Sequence, residues 1–374
     1  MISKIAQINK ILKKLQNKNP NIDIGFANVR EVVYISTPFS TLDTLNNGGI
    51  PRGKFGTIAG SSQTAKSTLL AQIIAHAQQE DQEFITLWTD AEESVDTVWM
   101  ESLGVDMSRV MVQKYDKDRP YMESLLDDAL QIVSTQSIDM WVIDSIGALQ
   151  PKADEEKLIE ENKMLNLQRK LGEFFRKAIK NIASTNDWPG CACVMIGQVY
   201  NVPTTTGVGL EEVRGGNSVK HWAHFRWKTR RGNRLEGPEP VEVQMPDGQL
   251  KKLVPGWAQH IKLDKSKLND REGQEIILQF VNGRGLDSVN SAITALLANN
   301  IIVRNGAMYY HALFQGLEEA NAEGKVRGRD SVISLLSSNK ELRNQLIEEM
   351  DNILQVKQLE SKEPITKIEN QNES

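Results

Sequence analysis

Gly60, Lys66 and Ser67 are the residues of this chain whose types and spacing could hold a phosphate chain. They lie in the run I-A-G-S-S-Q-T-A-K-S-T-L-L, from Ile58 to Leu70. Successive backbone N–H groups of Ser61, Ser62, Gln63, Thr64, Ala65 and Lys66, aimed by the start of a following helix, can cradle a triphosphate. The Lys66 ammonium would then reach the β- and γ-phosphate oxygens, and the Ser67 hydroxyl, beside Thr68, would ligate Mg²⁺. Such loops usually read Gly, four residues, Gly, Lys, then Ser or Thr. Here Ala65 fills the second glycine slot. If that position needs a positive φ, the alanine costs at most about 1 kcal/mol, and nothing if it is helical.

Other polar groups fall where such a loop needs them. From about 54 to 200 the pattern alternates strand and helix: strands at 54–59, 84–89, 140–143 and 191–196, and helices at 67–79, 95–103, 122–134 and 158–184. Apolar strands without period-2 polarity, separated by helices, predict a parallel sheet covered on both faces. Asp90-Ala91-Glu92, Asp144-Ser145 and Gln198 each follow one of these strands. Ligands of open α/β sheets bind beyond the carboxyl ends of the strands, so these groups converge with the loop on one site. Asp144 is assigned to the Mg²⁺ shell and Glu92 to polarising an attacking water, with Asp90 as the structural alternative. Gln198 can hydrogen-bond a γ-phosphate and pass its presence to the loop that follows.

Composition bounds the rest. The chain has 374 residues, 40% hydrophobic and 25% charged, enough for one large domain with appendages. A net charge of -5 argues against wrapping duplex DNA over the whole surface but leaves a local channel open. Cys191 and Cys193, two apart in a strand, are expected on one face as buried thiols in a reducing compartment. No apolar run approaches membrane-spanning length, and the N-terminus carries Lys10, Lys13, Lys14 and Lys18 instead of a signal core. A cytoplasmic protein with no membrane partner is expected.

Ile5, Ile8, Leu12 and Leu15 fall on one face of an N-terminal helix that ends near Pro20. That face could pack on its own domain or dock on a neighbouring subunit. The segments 153–162 and 200–216 are long for routine connections, which marks them as functional or disordered. The basic residues Lys228, Arg230, Arg231 and Arg234 read as a solvated strand edge, with a secondary duplex-binding role left open, and the proline-punctuated stretch 235–259 as an added hairpin. A new unit is expected from about 271 to 350, and a disordered tail over 351–374.

The ordered motifs resemble the RecA family of homologous-recombination strand-exchange proteins. They are I-S-T-P-F-S-T-L-D (Ile35–Asp43), G-G-I-P-R-G-K (Gly48–Lys54), D-A-E-E-S-V-D (Asp90–Asp96), L-G-V-D (Leu103–Asp106) and V-I-D-S-I-G-A-L-Q-P (Val142–Pro151). T-T-T-G (Thr204–Gly207), G-G-N-S-V-K (Gly215–Lys220) and K-L-D-K-S-K (Lys262–Lys267) complete the set. A non-glycine at position 65 also resembles phage recombinases of the UvsX kind, so a bacterial or a phage source is open.

The resemblance implies a RecA-like α/β ATPase core over 31–270 with a mostly parallel central sheet, an N-terminal oligomerisation helix and linker over 1–30, and a small C-terminal α/β domain. It places Glu92 at the catalytic glutamate, Asp144 at the second carboxylate, Gln198 at the γ-phosphate sensor, and Asp96 and Trp99 against adenine. Lys265 and Lys267 would reach the nucleotide of the adjacent subunit. DNA would meet Met164, Arg169 and Arg176 around a first loop (153–165). A second loop (199–216) and its exit would bring Tyr200, Thr204, Thr205, Thr206, Arg214, Gly215, Gly216 and Asn217. His221 stands where the family usually has an aromatic. The implied activity is ATP-dependent filament formation on single-stranded DNA and strand exchange with duplex DNA, using ATP and Mg²⁺, alongside single-strand-binding or loader proteins. A filament-forming regulatory paralogue with little hydrolysis is the alternative reading, and a ring helicase a more distant one.

Overall fold

The computed structural model describes residues 4–18, 31–154, 164–185, 187–202, 210–213, 215–234, 241–244, 250–253 and 256–362. The chain divides into two units, Met1–Val33 and Tyr34–Ser374. In the first, the helix Lys4–Lys18 has no buried residue. Ile5, Ile8, Ile11 and Leu15 are exposed on it, while Leu12 is half-buried.

The second unit is organised by a ten-stranded sheet. Its parallel part runs, in spatial order, Val110–Gln113, Thr86–Asp90, Met140–Asp144, Ala192–Val202, Phe55–Gly60 and Phe225–Arg234. The strands Thr86–Asp90, Met140–Asp144 and Phe55–Gly60 are buried at every position, as unbroken apolar runs covered on both faces require. Alternate residues feed two cores. Val194 and Ile196 join Leu69, Leu70, Ile73 and Ile74 of the helix Lys66–Glu80 on one face. Cys191, Cys193 and Met195 join Trp141, Phe174 and Phe175 on the other. The two cysteines thus share a face as expected, and burial pushes both thiols well up.

The sequence expectations need three corrections here. The strands Gly256–Ser266, Glu275–Val281 and Gly285–Asp287 continue the same sheet antiparallel, so the sheet runs past the expected boundary at 270–271. The separate C-terminal core starts only at Ala292 and is built from residues such as Leu296, Tyr309, Phe314, Leu336 and Leu346. Second, the helix Lys340–Lys362 runs through the first half of the supposed disordered tail, because its Glu, Lys, Gln and Leu are strong helix formers even where little is apolar. Residues 363–374 lie outside the described residues. Third, Phe225–Arg234 is an interior strand, not an edge, and Arg230, Arg231 and Arg234 are exposed on its second half. The hairpin expected within 235–259 is present as Val241–Gln244 paired with Leu250–Leu253.

Candidate functional site

Sheet register brings the predicted groups together. Gly60, the last residue of its strand, lies opposite Gln198 on one side and Thr229 on the other. Asp90 pairs with Asp144 one strand further along. The expected order held, except that both aspartates close their strands instead of following them. The resulting cleft, about 290 Å³, is lined by Ser62 to Thr68 together with Glu92, Asp144, Ile196 and Gln198. A larger cavity of about 430 Å³ lies between Leu45, Ile276, Ala295 and Met350; its lining mixes apolar with polar residues such as Thr41, Arg271 and Glu275 and contains none of the predicted site residues.

The loop is held from within. Gln63 (φ 60) and Ala65 (φ 48) are both left-handed. The alanine therefore carries the strained alternative, about 1 kcal/mol above a glycine. The Lys66 ammonium is buried and donates to Ser61 O at 2.7 Å and Gly60 O at 3.3 Å. Burial lowers its pKa, while Asp144 and Glu92 oppose that shift. The Ser67 hydroxyl donates to Asp144 Oδ2 at 2.9 Å. Burial, with Glu92 and Asp90 adding to it, raises the Asp144 carboxyl to about 6 against the pull of the Ser67 hydrogen bond. A hydroxyl and one carboxylate side by side match the sparse protein ligation Mg²⁺ accepts when phosphates and water complete its shell.

The two carboxylates after the Thr86–Asp90 strand separate in role. Asp90 spends both oxygens on the backbone N–H groups of Ser94 and Val95, each at 3.0 Å, fixing the turn. Glu92 instead faces the loop, where Oε1 accepts from the Ser145 hydroxyl and from Gln198 Nε2 at 3.4 Å. Ser145 was named only as the residue after Asp144 and was given no role of its own. Asp96 caps the helix Thr97–Ser102 by accepting from Trp99 N, and the Trp99 indole N–H donates to Thr68 Oγ1 at 3.4 Å. The indole thus lies against the start of the loop helix.

The predicted DNA positions are only partly described. Thr204, Thr205, Thr206 and Arg214 lie outside the described residues, as does most of the first loop, and Met164 opens the helix Met164–Ile182. Arg169 and Arg176 are exposed on that helix. Gly215 and Gly216 (φ 95 and 56) lead into the helix Gly216–Trp222, with Asn217 exposed. A Cβ on Gly216 would overlap the Gln168 amide, and Ser218 Oγ donates to Gln168 O at 2.8 Å. The exit of the second loop is therefore packed on the helix that leaves the first. Tyr200, half-buried, lies at the end of the Ala192–Val202 strand opposite Glu212.

Lys265 and Lys267 do not reach the cleft of their own chain. Their ammonium groups donate to the carbonyls of Lys220 and His221, the latter at 2.6 Å, in the last turn of Gly216–Trp222. Cations are favoured there by the helix dipole.

A largely parallel sheet with a phosphate loop after one strand and acidic groups at the neighbouring strand ends is the architecture of phosphate-loop α/β proteins. A family model described as the RecA N-terminal domain matches residues 3–252. The chain belongs to the RecA family of recombinases. It is 27% identical to Protein RecA of Prochlorococcus marinus (strain AS9601) over 325 residues, 86% of this chain and 80% of that protein. It is also 27% identical to Protein RecA of Acinetobacter baylyi over 91% of this chain and 88% of that one. The figure for the Nostoc sp. protein is 28%, over 86% and 81%.

Proposed function

We propose that this chain is an ATP-dependent recombinase that forms filaments on single-stranded DNA and promotes pairing and strand exchange with duplex DNA, hydrolysing ATP at the junction between subunits. The observation that carries the reading is the convergence of Lys66, Ser67, Asp144, Glu92 and Gln198 on one cleft. Ser61 to Lys66 would receive the phosphates on their backbone N–H groups, with the Lys66 ammonium turning from Gly60 O and Ser61 O towards them. Ser67 and Asp144 would hold Mg²⁺, which supplies charge neutralisation on the phosphates when bound. Glu92, whose Oε1 accepts from the Ser145 hydroxyl, would accept a proton from the attacking water. Gln198, bonded to Glu92 and followed by the second loop, would link γ-phosphate occupancy to DNA contact. Trp99 would stack on the adenine, and Lys265 and Lys267 would act on the neighbouring subunit's nucleotide.

Strand exchange itself makes no covalent bond, so base pairing supplies specificity and the protein supplies backbone contacts. The work would be done in the cytoplasm, beside single-strand-binding or loader proteins. Phosphate release measured with and without single-stranded DNA tests the reading. Stimulation by DNA that Lys66→Ala abolishes supports it; hydrolysis that ignores DNA, or survives in Lys66→Ala, overturns it.

A further inference from the structure

Between the two left-handed residues of the loop sits Thr64, only 1% exposed. Its hydroxyl donates to Ser61 O at 2.9 Å, which uses its one proton. Thr229 Oγ1, 2.9 Å away on the neighbouring Phe225–Arg234 strand, must therefore be the donor in the Thr64–Thr229 pair. The Lys66 ammonium, at 3.4 Å, is a second donor to the same Thr64 oxygen. Thr229 is itself buried and lies directly opposite Gly60 in the sheet. A Cβ on Gly60 would overlap the Thr229 hydroxyl and carbonyl, so the one glycine the loop keeps is the one that lets Thr229 through.

We propose that Thr229 is a positioning residue for the nucleotide: its hydroxyl pins Thr64 and so holds Gln63 and Ala65 in the left-handed conformations that aim the loop's N–H groups at phosphate. The inference rests on the nucleotide-site reading above. A loop with a glycine at position 65 adopts that conformation at no steric cost; this one has an alanine and depends on an outside restraint. Thr229 touches no substrate in this scheme and acts only through Thr64.

The test compares Thr229→Val, which keeps the β-branched shape and removes the donor, with Thr229→Ser, which keeps the hydroxyl, each with and without Ala65→Gly. Amide hydrogen exchange over 61–67 in the nucleotide-free protein is read first. Thr229→Val should exchange about fivefold faster there than wild type, and Thr229→Ser should not. MgATP affinity, titrated with a fluorescent ATP analogue, should fall about fivefold in Thr229→Val, stay at the wild-type value in Thr229→Ser, and fall less than about twofold when Thr229→Val is added to Ala65→Gly. Unchanged exchange in Thr229→Val overturns the proposal, as does an affinity loss that Ala65→Gly leaves undiminished. A wild-type protein that binds no MgATP, with exchange altered as expected, would leave the brace standing and overturn the nucleotide reading instead.

Discussion

The Ser67 hydroxyl donates to Asp144 Oδ2 at 2.9 Å, joining the first turn of the loop helix to the end of a strand two places away in the sheet. The pair brings a hydroxyl and a carboxylate oxygen to one point, and among the described residues no cluster of three or more acidic, His or Cys side chains could hold a metal. Asp144→Asn should therefore weaken the Mg²⁺ dependence of ATP binding by about tenfold while leaving the fold intact. Nucleotide titrations across a range of Mg²⁺ concentrations check this, and an unshifted Mg²⁺ midpoint would move the metal ligand elsewhere.

Glu92 is the carboxylate left free to face the loop, since Asp90 is consumed by Ser94 and Val95. Glu92→Gln should keep ATP binding within about twofold and slow DNA-stimulated hydrolysis by on the order of 10² to 10⁴. Turnover at the wild-type rate would assign the base to another group.

Lys265 and Lys267 hold the carbonyl end of Gly216–Trp222 within their own chain. Replacing both by Ala should cut DNA-stimulated hydrolysis by on the order of 10³ if they also serve the neighbouring nucleotide, with ATP affinity of the isolated subunit unchanged. Stimulated turnover reduced only a few-fold would restrict them to the helix end.

Burial, reinforced by Lys54, Lys267 and Lys265, pushes the His224 imidazole down to about 4 from its ordinary 6.5. Between those values the unfolded chain binds a proton that the folded one refuses. Stability from this group is therefore lost as pH falls from about 6.5 to about 4 and levels off below. Asp43, raised to about 7 by burial, and Asp144 tilt the curve the opposite way between 3.8 and 7. The readout is accordingly the difference in urea midpoint between wild type and His224→Gln. It should change sharply across pH 4 to 6.5; a constant offset would contradict the assignment.

The parallel half of the sheet was legible because Met140–Ile143 and Cys191–Ile196 are apolar at every step, a pattern only strands covered on both faces tolerate. The acidic groups were legible because they end such runs. Glu275–Val281 was not assigned to the same sheet, since only Leu278 and Phe280 of it are buried and it reaches its place through a hairpin rather than a helical crossover. Composition misjudged the Lys340–Lys362 helix, where apolar content falls but helix propensity does not. The roles of Ser145 and Thr229 were hidden for a different reason. A hydroxyl's partner is set by sheet register, and Thr64 and Thr229 are 165 residues apart in the chain.

The helix Gly216–Trp222 ends at two different places: its first residue presses on Gln168, beside the exit from the first loop, and its last turn is gripped by two ammonium groups. Seven residues span only about 10 Å, too short a rod to bend. A displacement of Gly216 along the helix axis would therefore carry with it the carbonyls that Lys265 and Lys267 hold.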